Sequence, residues 1–411
     1  MINSLKILIY GINFSPELVG IGKYTGEMAT WLSANGHKVQ VVTALPYYPE
    51  WKIHSQFSKW GYAHDLNDGL TVWRCPLYVP SKPRALLRII HLASFALTSF
   101  PILIFQIFWR PNVVFLVAPT LFCAPGALLL SRLTRAKSIL HIQDFEVDAL
   151  FGLDLVSSAS AFKKLAFSFE SFLLRKFDII STISSGMIQR ALDKGVAKDG
   201  VRFLANWSEI SRFQNIEPSR ELLRKLGVPE NKKIILYSGN MGEKQGLDGV
   251  ILAAQKLQIK KDLIFVLVGD GASRNRLVNM VLDLNLSNVV FCPLQSYDDL
   301  PVLLASAHVH LVVQRRGAAD SVLPSKLSNI LAVGGNAVIT ADAATTLGSL
   351  AFEHPGIALV VEPESIDALV WGIERALIMP RPNNIAKNYA KEFLDKEQVL
   401  SKFFQNIEAQ L

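Results

Sequence analysis

Lys326 follows Pro324 and Ser325 directly ahead of an apolar run, Leu327 to Val333, that reads as a helix. Proline suits the first helical turn, where no backbone N–H is needed. Ser325 and Lys326 are therefore expected at the helix N-terminus, a hydroxyl and an ammonium beside free backbone donors. That convergence suits a pyrophosphate, held by the helix dipole and charge-assisted hydrogen bonds. Asn329, one turn on, is positioned for a ribose hydroxyl. Two more turns have anion-binding character. One is Ser238-Gly239-Asn240-Met241-Gly242-Glu243-Lys244-Gln245-Gly246, and the other is Gly269-Asp270-Gly271, followed by Arg274 and Arg276. Glycine between a strand and a helix exposes backbone N–H groups to a ligand, and Lys244 adds a point charge. Singly, each reads equally well as a tight turn or a capped helix. Three on one sheet point to a phosphate-bearing ligand.

Such turns need strands to carry them. Short apolar runs alternate with helical patterns along the whole chain, which predicts parallel α/β sheets. In the first half the expected strands are 6–10, 39–43, 70–73, 113–117, 138–142 and 179–182, with a helix over 22–34 closed by Gly36. The second half restarts at 233–237 and continues with 264–268, 289–291, 309–312, 337–340 and 359–361. The polar, aperiodic stretch 207–218 reads as the linker. The expectation is an α/β protein of two doubly wound, Rossmann-like domains, 1–207 and 218–384, facing each other across a cleft. An amphipathic segment, about 385–411, packs back on the first domain. Ligands in such folds bind outside the carboxyl ends of the strands.

Composition narrows the partners. Half of the 411 residues are hydrophobic and 19% are charged, which excludes a mainly disordered chain. Residues 1–212 carry 22 Lys and Arg against 14 Asp and Glu, a surplus of eight; the remainder carries 20 against 21, a deficit of one. A basic first half suits an anionic membrane surface or a phosphorylated substrate. Its cations are scattered without interleaved aromatics, which argues against nucleic acid. Cys75, Cys123 and Cys292 form no CxxC pair, so a reducing, cytoplasmic setting is expected. The uncharged run Leu92–Trp109, flanked by Arg84, Arg88 and Arg110, is long enough for a marginal membrane span but holds Pro101 at its centre. It reads either as a core helix or as one resting in a bilayer surface, with Leu103 and Ile107 on one face.

In combination these motifs resemble the retaining glycosyltransferases of family four, of GT-B fold. The resemblance rests on Tyr237 to Gly246, Gly269-Asp270-Gly271 and Pro324-Ser325-Lys326-Leu327 in the second half. In the first it rests on Tyr10-Gly11, Pro16-Glu17, Gly20-Ile21-Gly22-Lys23-Tyr24 and Gly36-His37-Lys38-Val39. Pro46-Tyr47-Tyr48-Pro49-Glu50-Trp51 and His141-Ile142-Gln143-Asp144-Phe145-Glu146 are similar to the bacterial polysaccharide branch with the O-antigen N-acetyl-L-fucosamine transferase and colanic acid fucosyltransferase-like proteins.

The resemblance implies a nucleotide-sugar donor bound by Gly239, Asn240, Lys244, Gln245, Gly246, Gly271, Arg274, Pro324, Ser325, Lys326, Leu327 and Asn329. Glu17, Gly20, Gly22 and Lys23 would form the acceptor-side loop. The family's two glutamates, eight apart, are replaced here by Ser321 and Asn329. Asp320 is left as the carboxylate facing the donor sugar, and Asp144 as the group that orients or deprotonates the acceptor. No protein nucleophile is implied; the departing phosphate helps take the acceptor's proton. Asp144, Glu146 and Asp148 would share one face of an extended chain, but the resembled fold works without metal, so no metal and no cofactor is expected. His141 is expected in the core. The implied partners are a nucleotide sugar, UDP-N-acetyl-L-fucosamine first and GDP-L-fucose second, a polyprenyl-diphosphate-linked saccharide and the inner membrane surface. A nucleotide-sugar 2-epimerase and a non-catalytic nucleotide-sugar scaffold are the competing readings.

Overall fold

The structure is a computed structural model that describes all residues except 1–3, 18–19, 58–60, 68, 82–84, 149–159, 230, 297, 317–324, 344 and 411. The chain divides into two compact units, Met1–Leu204 with Asn406–Leu411, and Ala205–Gln405. The first is built on eight strands: β1 (Lys6–Gly11), β2 (Lys38–Ala44), β3 (Ala63–Asn67), β4 (Leu70–Cys75), β5 (Val113–Ala118), β6 (Lys137–Ile142), β7 (Ile179–Thr182) and β8 (Val201–Phe203). Their order is β3-β4-β2-β1-β5-β6-β7-β8. Every pairing is parallel except that of β3 with β4. The central strands are buried on both faces, which is why Ile7-Leu8-Ile9 and Val113-Val114-Phe115-Leu116 read as continuous apolar runs rather than alternating ones.

The second unit holds β9 (Lys233–Ser238), β10 (Leu263–Val268), β11 (Val289–Cys292), β12 (Val309–Val312), β13 (Ala337–Thr340) and β14 (Ala358–Val361). They lie in the order β11-β10-β9-β12-β13-β14, all parallel. In each sheet the winding direction reverses once, between β1 and β5 and between β9 and β12. The crevice at such a reversal is where open α/β sheets bind ligands.

Two expectations change. The stretch 207–218 is no free linker. Trp207, Ile210 and Phe213, three residues apart, are buried, and the last two join the second unit's core. A short 3₁₀ turn, Ile210–Phe213, brings residues at this spacing onto one side. The terminal segment 385–411 does not pack as one piece on the first unit. Ala386, Ala390 and Leu394 fill the second unit's core, and only residues from Asn406 group with the first.

Four helices matter below: α1 (Gly20–Ala34), α2 (Ala85–Trp109), α3 (Ala124–Thr134) and α4 (Ser160–Leu174). α2 packs with an inverted pattern. Its inward stripe carries His91, Phe95, Ser99, Leu103 and Gln106, three of them polar, while Leu97 (75% exposed), Phe105 (64%) and Phe108 (82%) face outward. The Ser99 hydroxyl meets the Tyr10 hydroxyl at 2.6 Å and donates to the Phe95 carbonyl, so part of that polar stripe is satisfied against the sheet. Leu103 thus lies inside, against Gly126 of α3, and is not the surface residue its spacing from Ile107 suggested.

The tightest backbone approach is in the second unit. Gly269 (φ 144°) lies so close to Gly239 that an added Cβ would stand 2.0 Å from the Gly239 carbonyl oxygen. Gly269→Ala is therefore expected to destabilise the second unit by about 3 kcal/mol or more. Gly249→Ala, where a Cβ meets nothing within 4 Å, should be neutral or gain about 0.5 kcal/mol. Paired denaturant melts of the two variants check the contrast, and equal midpoints would refute it.

Candidate functional site

Two loops leaving β9 and β10 are knitted backbone to backbone. The N–H groups of Gly239 and Met241 donate to the carbonyls of Val268 (2.9 Å) and Asp270 (2.8 Å), and that of Ser273 donates back to Met241 (2.9 Å). Only glycine at 239, 269 and 271 permits this, since all three have φ near 150° and Cβ atoms at 269 and 271 would overlap the opposite loop. The Tyr237 hydroxyl donates to the Asn240 carbonyl at 2.5 Å, and the Gly242 N–H donates to Gln245 Oε1 at 3.1 Å, which closes the turn. Gly246 (φ 60°) then passes under Arg315, whose Nε donates to the Glu243 carbonyl and whose guanidinium pairs with Asp248, each at 2.8 Å.

Onto this platform the helix Ser325–Ala332 extends Lys326. Its ammonium lies 4.4 Å from the Tyr237 ring centroid and beside Gly239. Among the described residues it has no carboxylate or hydrogen-bond partner. Burial lowers its pKa to about 8, with the ring face as its only compensation. An incoming diphosphate would supply the missing counter-charge.

The other expected donor-side residues divide by role. Asn329 Oδ1 accepts from the Ser208 hydroxyl at 2.6 Å, which leaves its amide N–H groups for a ligand. Leu327 is wholly buried in the core, so its side chain packs and does not touch a ligand. Lys244 is exposed on the turn, Gln245 is spent on closing it, and Arg274 lies 5.8 Å over the ring of Phe291. Asp320, Ser321 and Pro324 lie outside the described residues, and of Ser325 only the backbone at the helix start is described.

The first unit has its own cavity, about 770 Å³, at the carboxyl ends of β1 and β5. Gly20 and Gly22 of α1 form part of its wall, with Asp144 and Glu146 beyond the end of β6, Tyr47, Tyr48 and Trp51 from the loop after β2, and Arg88 and His91 of α2. Gly22 is required there: a Cβ would stand 2.7 Å from Glu17 Oε2. Glu17 itself is buried. It accepts from the N–H groups of Tyr47 (3.2 Å) and Tyr48 (3.0 Å) and from Asn13 (2.9 Å), and burial raises its pKa. It shapes the aromatic loop and its oxygens are engaged there, so within the expected acceptor-side loop its part is structural. Lys23 pairs with Glu27 along α1 at 3.7 Å.

The three alternating carboxylates do not share a face, because the chain bends after Ile142 and turns helically from Glu146. Asp144 is exposed at the cavity, Glu146 accepts from the Leu121 N–H, and Asp148 pairs with Lys194 at 3.2 Å. His141 is a core histidine, 3.0 Å from Ser181 Oγ, with its pKa pulled to about 3 by burial. Sequence reasoning missed His91, Glu146 and the ring cluster around Trp51 as a group. The available signal was Tyr47-Tyr48-Pro49-Glu50-Trp51, aromatic residues too dense for an ordinary loop.

Two glycine-lined strand ends, one around a buried cation, are what a nucleotide-sugar enzyme requires, and comparison with known proteins agrees. Residues 19–207 match the glycosyl transferase 4-like domain, and residues 218–393 match the glycosyl transferases group 1. The chain belongs to the glycosyltransferases. It is 54% identical over 407 residues, 98% of this chain and 100% of the relative, to WcaI of Escherichia coli (strain K12), whose name assigns it to colanic acid biosynthesis as a glycosyl transferase. Among solved structures it resembles sucrose-phosphate synthase of Thermosynechococcus elongatus (TM-score 0.69, 17% identity, 99% of each chain). It also resembles Anabaena HepE in complex with UDP-glucose (TM-score 0.65, 14% identity, 98% of this chain and 100% of that one). These likenesses establish two parallel-sheet α/β domains of the GT-B class.

Lys326 gives the expected donor site a testable pH signature. Below its unliganded pKa of about 8 the ammonium is charged and meets a diphosphate directly. Above it, binding must also take up a proton. The Kd for UDP is therefore expected to rise between pH 8 and 9.5, by up to about tenfold per unit. Lys326→Met should weaken binding about 10- to 100-fold at pH 7 and abolish that slope. Calorimetric titration checks both, and a flat wild-type profile would refute the assignment.

Proposed function

We propose that the protein is a retaining transferase of bacterial polysaccharide assembly that moves a deoxysugar from a nucleotide diphosphate onto a lipid-diphosphate-linked saccharide. The second unit takes the donor and the first the acceptor. The observation that carries the donor half is Lys326, a half-buried lysine with no carboxylate partner among the described residues, at a glycine-lined sheet edge. In the reaction an acceptor hydroxyl attacks the anomeric carbon on the face from which the nucleotide departs. The new C–O bond forms as the bond to the β-phosphate breaks, and the phosphate oxygen receives the hydroxyl's proton. Lys326 and the backbone donors of the Gly239 turn stabilise the charge on the leaving diphosphate. Asp144, exposed at the cavity, orients the acceptor. Asp320 is assigned to the donor sugar.

For the donor we propose UDP-N-acetyl-L-fucosamine. The second reading is GDP-L-fucose. The test is transfer onto a synthetic lipid-diphosphate N-acetylglucosamine with each donor offered separately, followed by mass. One donor is expected to give a disaccharide. Donor rearranged without acceptor would instead indicate an epimerase, and both donors recovered intact would indicate a binding scaffold.

The lipid half of the proposal is supported by α2. Residues Leu87–Trp109 are long and apolar enough to cross a membrane, and 28% of that stretch is buried. Phe122, Leu129 and Leu133 beside α3 and Leu165, Phe169 and Phe172 on α4 add exposed apolar area, with Lys163, Lys164 and Arg132 nearby in sequence. A polar-in, apolar-out helix with basic neighbours suits a bilayer surface. Full-length protein should sediment with vesicles containing anionic lipid. Phe105→Glu with Phe108→Glu should release it still folded, while Leu103→Glu should unfold it. Unchanged sedimentation of the folded double variant would sink the membrane assignment.

A further inference from the structure

Two hydrogen-bond acceptors at the first unit's cavity have capacity that the described residues leave unused. His91 is 1% exposed, and its Nδ1 lies 2.5 Å from the Tyr78 carbonyl oxygen. A carbonyl only accepts, so the proton sits on Nδ1 and Nε2 is left as a lone pair. That Nε2 is buried at the cavity wall with no partner among the described residues. The ring is fixed in this attitude by Tyr47, centroid to centroid 4.6 Å, and Trp51, 5.3 Å. Burial lowers the imidazole pKa, so the ring stays neutral and Nε2 remains an acceptor near pH 7.

Glu146 is the second acceptor. Its Oε1 and Oε2 share one backbone donor, the Leu121 N–H, at 3.2 and 3.1 Å. One N–H against about four lone-pair positions leaves most of its capacity open, and the residue is half-buried at the cavity wall. The charges acting on it are Asp144 and Glu170, which oppose ionisation, and Arg88, which favours it; burial dominates and pushes the carboxyl up to about 7. Glu170 is itself held by Lys194, which also pairs with Asp148, so that neighbouring cation is already engaged.

The unused groups define what fits. An apolar ligand would leave both acceptors unmet. An anion would meet Arg88 on the same wall, but at this end of the cavity it would also face a lone pair and two carboxylates. A cation is not served either, for among the described residues no three His, Cys, Asp or Glu side chains converge to hold one. What remains is a neutral ligand rich in donors with an apolar face to lay on a ring. We propose that the cavity is a pyranose subsite, with His91 Nε2 and Glu146 accepting from two O–H or N–H groups of the sugar and Trp51 offering its ring to the sugar's C–H face. A volume of about 770 Å³ is ample for such a ring and its substituents. The inference rests on reading the first unit as the acceptor side, and it names which residues grip the acceptor sugar.

The test uses the full chain and methyl N-acetyl-β-D-glucosaminide, a probe with no lipid and no phosphate, followed by tryptophan fluorescence and calorimetry. Saturable binding is expected, with the fluorescence response lost in Trp51→Phe. Glu146→Gln keeps an oxygen for the Leu121 N–H, and His91→Phe keeps the ring packing. Each should weaken the glycoside about fivefold or more while leaving UDP affinity unchanged. Glu146→Gln should also keep the melting temperature, whereas His91→Phe, which takes the donor from the Tyr78 carbonyl, should melt lower but stay folded. Wild-type affinity should strengthen several-fold from pH 6 to pH 8 as Glu146 ionises, and the Glu146→Gln profile should be flat. Binding that is identical in both variants, or no saturable binding up to 100 mM glycoside in the wild type, would overturn the subsite. Glycoside binding without transfer from either donor would leave the subsite standing and sink the substrate assignment above. Transfer by variants whose acceptor KM is unchanged would do the reverse.

Discussion

A half-buried ammonium that has no carboxylate partner among the described residues, held over the ring of Tyr237, is the constraint around which the second unit is arranged. Keeping Lys326 there requires three things at once. The helix Ser325–Ala332 must begin just outside β12, Leu327 must anchor its first turn in the core, and the strand ends facing it must be thin enough to admit a ligand. Glycines 239, 269 and 271 supply the thinness by letting two loops share backbone hydrogen bonds with no side chains between them. The cost of leaving a cation short of counter-charge is tolerated because the occupied state supplies it. Such a site is less comfortable empty than full, an arrangement common where binding matters more than rigidity.

The first unit solves a related problem with different groups. Its strand ends are also glycine-lined, but the buried polar residue at the switch point is a carboxylate, Glu17. That carboxylate is consumed in fixing the aromatic loop Tyr47–Trp51. The capacity left for a ligand sits elsewhere, on His91 and Glu146, the first neutral and the second partly ionised near pH 7. One unit thus offers positive charge and backbone donors, the other rings and acceptors. That division matches a charged leaving group on one side and an uncharged nucleophile on the other.

Much of this was legible in the sequence. Every central strand was, because burial on both faces makes its residues uniformly apolar. The edge strands β3 and β8 were not: Ala63-His64-Asp65-Leu66-Asn67 is mostly polar and pairs antiparallel through a glycine turn, and β8 is only three residues long. Lys326 could be found because proline, serine and lysine together at a helix start gather a hydroxyl and an ammonium at the positive end of the dipole. The role of Glu17 could not, since two of its three donors are backbone groups 30 and 31 residues away. His91 lay at the head of an apolar run whose hydropathy concealed that the polar residues face inward. Residues 207–218 looked like a linker because three buried side chains, Trp207 and two in a 3₁₀ turn, give no helical or strand period.

The inverted pattern of α2 also governs how the molecule behaves in plain buffer. Its inward face is settled against the sheet, while its outward face leaves large apolar side chains in water, as do α3 and α4. Water does not tolerate that arrangement at every concentration. As the protein is concentrated without amphiphile, copies gain by covering that surface with one another. Apparent mass, scattering and shelf life then become functions of dilution and detergent more than of the fold's intrinsic stability.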